Sequence, residues 1–402
     1  MMNEEIFKPA FEIIETVKKA GFKAYVVGGA VRDYLLDKEV NDIDIASSAT
    51  PQQIQKIFDQ VIPVGIEHGT VIVRYQKESY EVTTFRAEQG YSDFRRPDQV
   101  TFVDSITTDL SRRDFNINAI AMNEKGLFID PFNGQEDLAS QLIRAVGDPV
   151  HRFTEDPLRM LRAIRFVSQL QFKLDPVTWA EIKNHAMLIE KLSIERITIE
   201  LEKLFQGQAV QEAVNYCEQA NLFKHLPIFK SNQSLISQLH EVKQPTVELI
   251  DLFAYLTLST DGKISIVDWC KAYRLSNKAR QIGELLVDLV ELYQQGNLTH
   301  SLVYHLPEAF DQRFIALVDR LLHQSIEQQL IRQLRQELPI KHRRDVKING
   351  HDLQKIYPHK SRGNWISSYL ADIEQQIIEG QLTNDFDKIK EWILSCHPPE
   401  KN

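Results

Sequence analysis

Residues 28–46, GGAVRDYLLDKEVNDIDIA, contain the pattern that decides how the first part of the chain folds. The apolar run at 24–27 (AYVV) precedes two glycines and is typical of a short buried strand. Residues 31–36 then show helical spacing, and residues 42–46 alternate between polar and apolar side chains. A strand, a glycine turn, a helix and a second strand in this order predict a β-sheet covered by helices.

The flanking sequence extends this prediction. Apolar residues recur at helical spacing over 6–17, and the runs at 71–75 and 80–85 are predicted to form a hairpin. Residues 86–98 (RAEQGYSDFRRPD) are polar, contain a glycine and a proline and show no period, which predicts a mobile loop. Residues 1–140 are therefore predicted to form a mixed β-sheet domain with helices.

The rest of the chain has a different character. Beyond about residue 150, amphipathic helical patterns follow one another with weak breaks near Gly207, Pro227, Pro245 and Gly262. A chain of 402 residues suffices for about two to four domains, and 16 glycines and 15 prolines are too few for a long flexible linker. The prediction is an α+β multidomain protein with an N-terminal mixed-sheet domain and an all-α remainder.

The composition excludes several classes of protein. Hydrophobic residues make up 43% and charged residues 26% of the chain, as is ordinary for a globular protein. No apolar run approaches the roughly 18 residues of a membrane span, and the acidic start MMNEEIF is unlike a signal peptide, so no membrane partner and a cytoplasmic location are expected. The widely spaced Cys217, Cys270 and Cys396 are predicted to be buried free thiols.

The charge is unevenly distributed. The 47 basic and 56 acidic residues give a net charge of −9, which by itself argues against a nucleic-acid partner. Residues 332–362 reverse the sign, with nine basic and three acidic side chains and a local charge of +6. This basic stretch contains Lys341, Arg343, Arg344 and Lys347. It is either a phosphate-binding surface or a solvated basic face.

Asp42 and Asp44 form the first candidate chemical site. At positions i and i+2 of a strand their carboxylates project from one face, at a spacing suited to hard cations such as Mg²⁺. Two such ions would support phosphoryl transfer by activating a hydroxyl and neutralising a leaving pyrophosphate. The alternative is a pair of turn or capping residues. Glu81 is either a third carboxylate near the metals, a base for the attacking hydroxyl, or a solvated strand residue.

Gly28 and Gly29 form the second candidate site, between a strand and a helix. Without side chains they let triphosphate oxygens approach backbone N–H groups and the positive end of the helix. Arg32 adds a charged donor for the same phosphates. A plain tight turn is the alternative, but the carboxylate pair follows closely, and the two features together favour a nucleotidyltransferase.

These motifs carry a family resemblance. Residues 28–36 and 42–46 resemble the head motif of the DNA polymerase β-like nucleotidyltransferases, in the form used by class II tRNA nucleotidyltransferases. Residues 112–119 (RRDFNINA) resemble the family's RRDFxxNA element, associated with the ribose of the incoming nucleotide. Residues 155–166 (EDPLRMLRAIRF) resemble its EDxxRxxRxxRF element, and residues 86–98 resemble the flexible loop of enzymes that complete CCA.

The resemblance spans residues 24 to about 205 and implies an architecture. It implies a nucleotidyltransferase head at 1–140, a neck for base selection at 141–206, a helical body at 207–295 and a tRNA-binding tail at 296–402. It also implies Mg²⁺ as the cofactor and ATP, CTP and tRNA as partners, and it leaves the oligomeric state open. The basic stretch would then grip tRNA away from the active site.

The resemblance further implies which residues act. Asp42 and Asp44 would hold the metal ions, and Glu195 and Arg196 resemble an element that supports the base-selecting helix. The residues expected to contact the nucleotide are Gly28, Gly29, Arg32, Arg113, Asp114, Asn118, Asp156, Arg159, Arg162 and Arg165.

Asp156 and Arg159 can also be interpreted from their chemistry. At i and i+3 on a helix they present an acceptor-only carboxylate beside a donor-only guanidinium. Cytosine and adenine both offer an amine beside an acceptor nitrogen, whereas guanine and uracil reverse that order, so one such pair can select C and A. The alternatives are a helix N-cap for Asp156, which precedes a proline, and salt-bridged surface positions for Arg162 and Arg165.

The predicted activity is that of a CCA-adding enzyme, in which the tRNA 3′-hydroxyl attacks the α-phosphate of CTP or ATP. A bacterial poly(A) polymerase is disfavoured because residues 64–73 (VGIEHGTVIV) lack the basic signature of those enzymes. A CC-only enzyme is disfavoured because the loop at 86–98 is intact. A catalytically silent RNA-binding protein is the alternative from a different class, and the intact carboxylate pair argues against it.

Overall fold

The computed structural model describes residues 4–398. The chain divides into two compact units. Unit 1 comprises Met1–Pro245 and Ala272–Arg274, and unit 2 comprises Thr246–Lys271 and Leu275–Asn402. The boundaries expected at residues 140, 206 and 295 fall inside these units and stay predictions.

Unit 1 begins with the strands and helices of the predicted head. Its strands are β1 (Ala24–Val27), β2 (Asp44–Ser47), β3 (Val61–Ile62), β4 (Thr70–Tyr75), β5 (Glu78–Thr84), β6 (Arg86–Gln89), β7 (Gln99–Phe102), β8 (Ala121–Met122) and β9 (Phe128–Ile129). Its helices are α1 (Lys8–Lys19), α2 (Gly29–Leu35), α3 (Pro51–Ile57), α4 (Ile106–Ser111) and α5 (Gly134–Ala139).

Seven of these strands form one mixed sheet in the order β3-β4-β5-β2-β1-β8-β9. Strands β2 and β5 run parallel, and every other adjacent pair in this sheet is antiparallel. Helix α1 packs on β1 and β2 through Ala10, Ile13, Ile14 and Val17, which recur at i, i+3, i+4 and i+7. The predicted mixed sheet with helices is confirmed.

Strand β2 starts later than predicted. It begins at Asp44, so Asp42 precedes the strand instead of lying within it. The cause is the neighbouring strand, because β1 ends at Val27, which is the register partner of Asp44. The next residue, Gly28, has a φ of 76° and turns the backbone away from the sheet. Residues before Asp44 therefore have no β1 partner.

The segment predicted as an irregular loop at 86–98 is partly regular. Strand β6 pairs antiparallel with β7, from Arg86 opposite Phe102 to Gln89 opposite Gln99. The turn is therefore limited to residues 90–98. Periodicity missed β6 because its sequence, RAEQ, has no apolar alternation, and this two-stranded hairpin is ordered by polar contacts described below.

The second half of unit 1 is mostly helical. Its elements are β10 (Leu142–Ile143), α6 (Pro149–Glu155), α7 (Leu158–Leu170), β11 (Lys173–Leu174), α8 (Pro176–His185), α9 (Ile194–Phe205), α10 (Val210–Gln219) and α11 (Leu235–Leu239). The parallel pair β10–β11 is an exception to the predicted all-α region. Helix α7 packs against α9 and α10. Gly207 permits this packing, because a Cβ there would lie 2.1 Å from Oγ of Ser168 on α7.

Unit 2 is built from helices. They are α12 (Leu249–Ser259), α13 (Ile266–Ala272), α14 (Asn277–Gly296), α15 (His300–His305), α16 (Asp311–Leu322), α17 (Gln328–Glu337), α18 (Gly350–Ile356), α19 (Trp365–Ile378) and α20 (Phe386–Cys396). Its core includes Phe253 and Trp269, whose rings stack with centroids 4.5 Å apart.

Two further predictions can be compared with residues 4–398. Within this range, no helix has both the length and the apolar character that crossing a membrane requires. All three cysteines are free, as predicted, and Cys217 and Cys270 are buried. Cys396 is exposed, so its predicted burial is wrong. It is the last residue of α20, at the end of the helix beyond the buried Ile389 and Ile393.

Candidate active site

Three carboxylates meet where the parallel strands β2 and β5 adjoin. Asp44 is the first residue of β2, and its register partner on β5 is Glu81. Asp42 lies two residues before Asp44, and the half-buried Ile43 separates them. The three side chains line a groove of about 720 Å³. The chain therefore brings the two predicted metal ligands and the candidate third carboxylate to one place.

The electrostatics of this groove favour a bound cation. Protein atoms crowd the Asp44 carboxyl although the residue as a whole remains exposed. This burial, together with the negative charges of Glu81 and Asp42, raises the pKa of Asp44 to about 6 against the opposing effect of Arg113. Crowded carboxylates of this kind repel one another until a cation is present.

The groove offers a metal ion two carboxylate ligands, Asp42 and Asp44, but not a complete set of three. Within residues 4–398 no three His, Cys, Asp or Glu side chains converge closely enough to hold a metal ion by themselves. Glu81 instead accepts a long hydrogen bond of 3.4 Å from the Thr83 hydroxyl. A magnesium ion commonly takes one or two carboxylates and completes its shell with water and substrate phosphates, so this donor set fits it.

Gly28 has a φ of 76°, a backbone conformation that favours glycine, and Arg113 approaches it closely. A Cβ at Gly28 would lie 2.9 Å from Nη1 of Arg113 and 3.9 Å from Oδ2 of Asp44. The Nε atom of Arg113 is buried and has no hydrogen-bond partner in the described chain. The nearest carboxylate oxygen in a salt bridge, Oδ2 of Asp109, is 3.7 Å away. Arg113 thus keeps donor capacity beside the glycine turn.

A continuous polar network joins the next predicted residues. Nη1 of Arg32 donates to Oδ1 of Asn118 at 2.8 Å, and Nδ2 of Asn118 donates to Oδ1 of Asp114 at 3.0 Å. Arg162 donates to Oδ2 of Asp114 from Nε and Nη2, at 2.9 and 2.6 Å. The network connects α2, the RRDF segment and α7, which lie far apart in the sequence.

Asp156 and Arg159 are held separately and not by each other. Oδ1 of Asp156 accepts from the Leu158 amide at 3.1 Å, so the helix-cap role is realised, and Oδ2 accepts from Arg196 at 2.6 Å. Nη1 of Arg159 donates to Glu155 at 2.9 Å, and its Nη2 donates to the Arg112 carbonyl at 3.0 Å. Both side chains are thereby fixed in direction at the start of α7.

Arg165 is buried, as is Arg159, whereas Arg162 on the same helix is half-buried. Only 7% of the residue is exposed, and its Nε donates to Oε2 of Glu200 on α9 at 2.6 Å. Arg162 lies 3.6 Å from the other oxygen of Glu200. Glu200 therefore anchors two arginines of the predicted site from the neighbouring helix.

Comparison with known proteins decides the family. Residues 24–144 match the family model described as poly A polymerase head domain, residues 171–232 match probable RNA and SrmB-binding site of polymerase A, and residues 248–393 match tRNA nucleotidyltransferase domain 2. CCA-adding enzymes of Oceanobacillus iheyensis and Anoxybacillus flavithermus are 42% and 41% identical, over 100% of each chain. This chain belongs to the CCA-adding enzyme family.

Solved structures of CCA-adding enzymes share the fold. The Bacillus stearothermophilus CCA-adding enzyme, solved with CTP, matches with a TM-score of 0.86 and 33% identity over 97% of both chains. The Thermotoga maritima CCA-adding enzyme, solved with tRNA, matches with a TM-score of 0.64 and 23% identity over 98% of this chain and 96% of its own. The predicted enzyme class, a CCA-adding nucleotidyltransferase, is confirmed.

The basic stretch of this CCA-adding enzyme lies in unit 2 and is only partly neutralised. Lys341, Arg344 and Lys347 are exposed and form no salt bridge within residues 4–398. Nε of Arg343 lies 3.7 Å from Glu374, and Nη2 donates to the Ser367 carbonyl at 3.2 Å. Three of the four predicted tail residues therefore keep a free charge at the surface.

Sequence reasoning missed Glu88 and Tyr91, which order the β6–β7 hairpin. Glu88 accepts from Arg86 at 2.7 Å, from Arg112 at 3.3 Å and from the Tyr91 hydroxyl at 2.5 Å. Burial works against the ionisation of Glu88, but the charges of Arg112 and Arg86 and the hydrogen bond from Tyr91 hold its pKa below the usual range. The available signal was the pattern RAE, in which Arg86 and Glu88 lie two residues apart and would share one face of a strand.

It also missed Glu200 and Phe166. Glu200 is an acidic residue among the buried apolar positions of α9, beside Ile197, Leu201 and Leu204. An acidic residue on an otherwise apolar helix face is a signal for a buried ion pair, because an unpaired buried carboxylate is costly. The role of Phe166, the last residue of the EDPLRMLRAIRF segment, is considered below.

Proposed function

We propose that this CCA-adding enzyme extends the 3′ end of tRNA with C, C and A, using CTP and ATP. One observation carries the proposal: the carboxylates at the start of β2 and the base-selecting pair at the start of α7 belong to the same compact unit. The Arg32–Asn118–Asp114–Arg162 network joins their surroundings. A tRNA substrate is consistent with the proposed action in the cytoplasm.

Asp42 and Asp44 would hold Mg²⁺, with Glu81 beside them. The hard oxygen donors and the crowding that raises the pKa of Asp44 to about 6 both suit a divalent cation. When bound, the ions lower the pKa of the attacking hydroxyl and offset the charge of the leaving pyrophosphate. Chain residues would bind and orient the nucleotide.

The triphosphate would lie along the glycine turn. The absent side chains of Gly28 and Gly29 give its oxygens access to backbone N–H groups, and Arg32 and Arg113 would donate to the same oxygens. Arg113 has an unpartnered buried Nε within the described chain, and a phosphate oxygen is a suitable acceptor for such a donor. Asp114 and Asn118 would contact the ribose, with Arg162 and Arg165 supporting them.

The base would be selected by hydrogen-bond capacity that the protein leaves unused. Each carboxylate oxygen of Asp156 accepts one protein hydrogen bond and keeps a lone pair for the exocyclic amine of cytosine or adenine. Arg159 keeps its Nε–H and one Nη2–H for the neighbouring ring nitrogen. Uracil and guanine would present a donor to the guanidinium and an acceptor to the carboxylate, so both contacts would be repulsive.

The reaction exchanges one phosphorus–oxygen bond for another. The terminal 3′-oxygen of tRNA bonds to the α-phosphorus, the bond to the β-phosphate oxygen breaks, and pyrophosphate leaves. Residues 1–140 would act as the head, 141–206 as the neck, 207–295 as the body and 296–402 as the tail. Lys341, Arg343, Arg344 and Lys347 would contact tRNA phosphates.

The test is nucleotide addition to a tRNA that lacks its 3′ CCA. With CTP alone the product should grow by two nucleotides, and with CTP and ATP together by three. A long tail from ATP alone would identify a poly(A) polymerase, and a product that stops at two with both nucleotides would identify a CC-only enzyme. Tightly bound but unextended tRNA with wild-type protein and Mg²⁺ would identify a silent binding protein.

A further inference from the structure

Three arginines of the proposed nucleotide site share one aromatic ring. The guanidinium carbon of Arg165 lies 3.9 Å from the ring centroid of Phe166, that of Arg32 lies 5.1 Å away, and that of Arg162 lies 5.8 Å away. Phe166 is buried, with 3% of its surface exposed. All three distances fall within the roughly 6 Å over which an aromatic ring attracts a cation.

The ring is itself held by the head. Its centroid lies 5.8 Å from that of Phe115, with the two planes at 88°, which is the favoured edge-to-face arrangement. Phe115 is fully buried and directly follows Asp114. Phe166 on α7 therefore contacts α2 through Arg32 and the RRDF segment through Phe115.

A ring differs from a carboxylate as a partner for these arginines. Each arginine already has an acidic neighbour: Asp33 for Arg32, Asp114 for Arg162 and Glu200 for Arg165. A further carboxylate among them would compete with an incoming triphosphate for the same charge. The face of a phenyl ring attracts a cation through its quadrupole but carries no net charge, so it positions the guanidinium groups without neutralising them.

We propose that Phe166 is a positioning residue for nucleotide binding, whose π-electron face holds Arg32, Arg162 and Arg165 in the orientation that receives the incoming nucleotide. This inference rests on the proposed function. It differs from a packing role, because an aliphatic side chain of similar volume would fill the space but would not attract the guanidinium groups.

The test replaces Phe166 with phenylalanines carrying one, two or three ring fluorines, introduced by nonsense suppression. Fluorine withdraws π density stepwise while the ring keeps nearly the same size. The KM values for CTP and ATP should rise with each fluorine, to about tenfold for the trifluoro ring, because each fluorine weakens the attraction between the ring face and the guanidinium groups. The kcat value should change by less than about twofold. Phe166→Leu should raise KM at least as much.

Phe153 supplies the matched control. It is fully buried on α6, and no cation lies over its ring in the described chain. The same fluorinated series at Phe153 should leave both KM values unchanged. A flat KM series at Phe166, or equal slopes at the two positions, would overturn the inference and leave packing as the explanation. Failure of the protein with unmodified phenylalanine at 166 to extend tRNA would instead overturn the proposed function.

Discussion

Oδ2 of Asp156 accepts a 2.6 Å hydrogen bond from Nη2 of Arg196. Arg196 lies on α9, whereas Asp156 stands at the start of α7 and caps it through its other oxygen. Both oxygens of the proposed base-selecting carboxylate are thus fixed before a nucleotide arrives. Such preorganisation lets the contact with the base select without the cost of ordering the side chain.

Arg196→Ala should therefore weaken base selection. Loss of a charge-assisted hydrogen bond, about 1.5 to 3 kcal/mol, should lower kcat/KM for CTP and ATP by about tenfold or more. Incorporation of UMP should rise relative to CMP. The measurement is single-nucleotide addition with each of the four triphosphates. Arg274→Ala is the control, because Arg274 forms an exposed ion pair with Glu195 on the same helix. Unchanged discrimination in Arg196→Ala would contradict the role.

The carboxylates at β2 and β5 should differ in importance. Asp44→Asn should reduce CMP addition by at least about a thousandfold, because a bound metal contributes several kcal/mol to phosphoryl transfer. Glu81→Gln should have a smaller effect, since one oxygen of Glu81 already accepts a hydrogen bond from the Thr83 hydroxyl. Glu136→Gln, an exposed change on α5 outside the groove, should have none. Equal losses in Glu81→Gln and Asp44→Asn would make Glu81 a full ligand.

Removal of divalent cations should abolish nucleotide addition. Treatment with a chelator followed by gel filtration should give an inactive protein, and added Mg²⁺ should restore activity. The chelated protein should unfold in urea at nearly the same midpoint as the untreated one, because each unit has its own apolar core. Activity that survives chelation and dialysis would count against Asp42 and Asp44 as metal ligands.

Shortening the β6–β7 turn should separate C addition from A addition. Replacing residues 91–97 by two glycines keeps both strands and Glu88 but removes Tyr91 and the rest of the turn. Addition of CC should persist, while addition of A should fall by about tenfold or more, because we propose that this turn is the lever that changes the specificity from C to A by moving against α7. Product lengths on sequencing gels measure this. Tyr91→Phe tests the hydroxyl contact with Glu88 alone. Equal loss of both additions would reject the lever.

Because of Asp114, the free energy of unfolding should depend on pH in the acid range. Burial disfavours its charge, but Arg162 and the hydrogen bonds from Asn118 and Arg162 hold the pKa of Asp114 well below its usual value. A lowered folded-state pKa gives stability that is complete above the unfolded value of about 3.9 and is lost as pH falls below it. Asp114→Asn should therefore cost about 2 kcal/mol at pH 7 and progressively less from pH 4 to pH 3.

Urea unfolding at these pH values measures the effect. Asp59→Asn is the control, because Asp59 is exposed and forms no ion pair in the described residues. The lowered pKa would be contradicted if the free energies of unfolding of Asp114→Asn and the wild type differed by the same amount from pH 7 to pH 3.

The basic stretch of unit 2 should affect tRNA and not the nucleotide. Charge reversal at Lys341, Arg344 and Lys347 should raise KM for tRNA by about tenfold or more and flatten its dependence on salt, while KM for CTP stays constant. Reversal of Lys388 and Lys390, exposed on α20 outside the stretch, is the control. If both sets of charge reversals raise KM for tRNA equally, the basic stretch contributes only general electrostatic attraction and no particular tRNA contact.

Local sequence patterns predicted a large part of the fold. The i, i+3, i+4, i+7 spacing on α1 and the alternation in β4 and β5 gave correct elements, because their buried faces follow the helix and strand periods. Strand β6 was missed because polar residues order it through Glu88. The start of β2 was misplaced because it depends on where β1 ends, and β1 lies in a different part of the sequence.

The sequence by itself determined the family, the order of strand, glycine turn, helix and strand, and the close spacing of Asp42 with Asp44 and of Asp156 with Arg159. These are short-range properties, and backbone periodicity is enough to express them. The tertiary structure alone decided that Glu81 stands opposite Asp44, that Arg196 reaches Asp156, and that one buried ring gathers three arginines. Strand register and helix packing bring these residues together from distant segments of the chain, and no local pattern encodes such contacts.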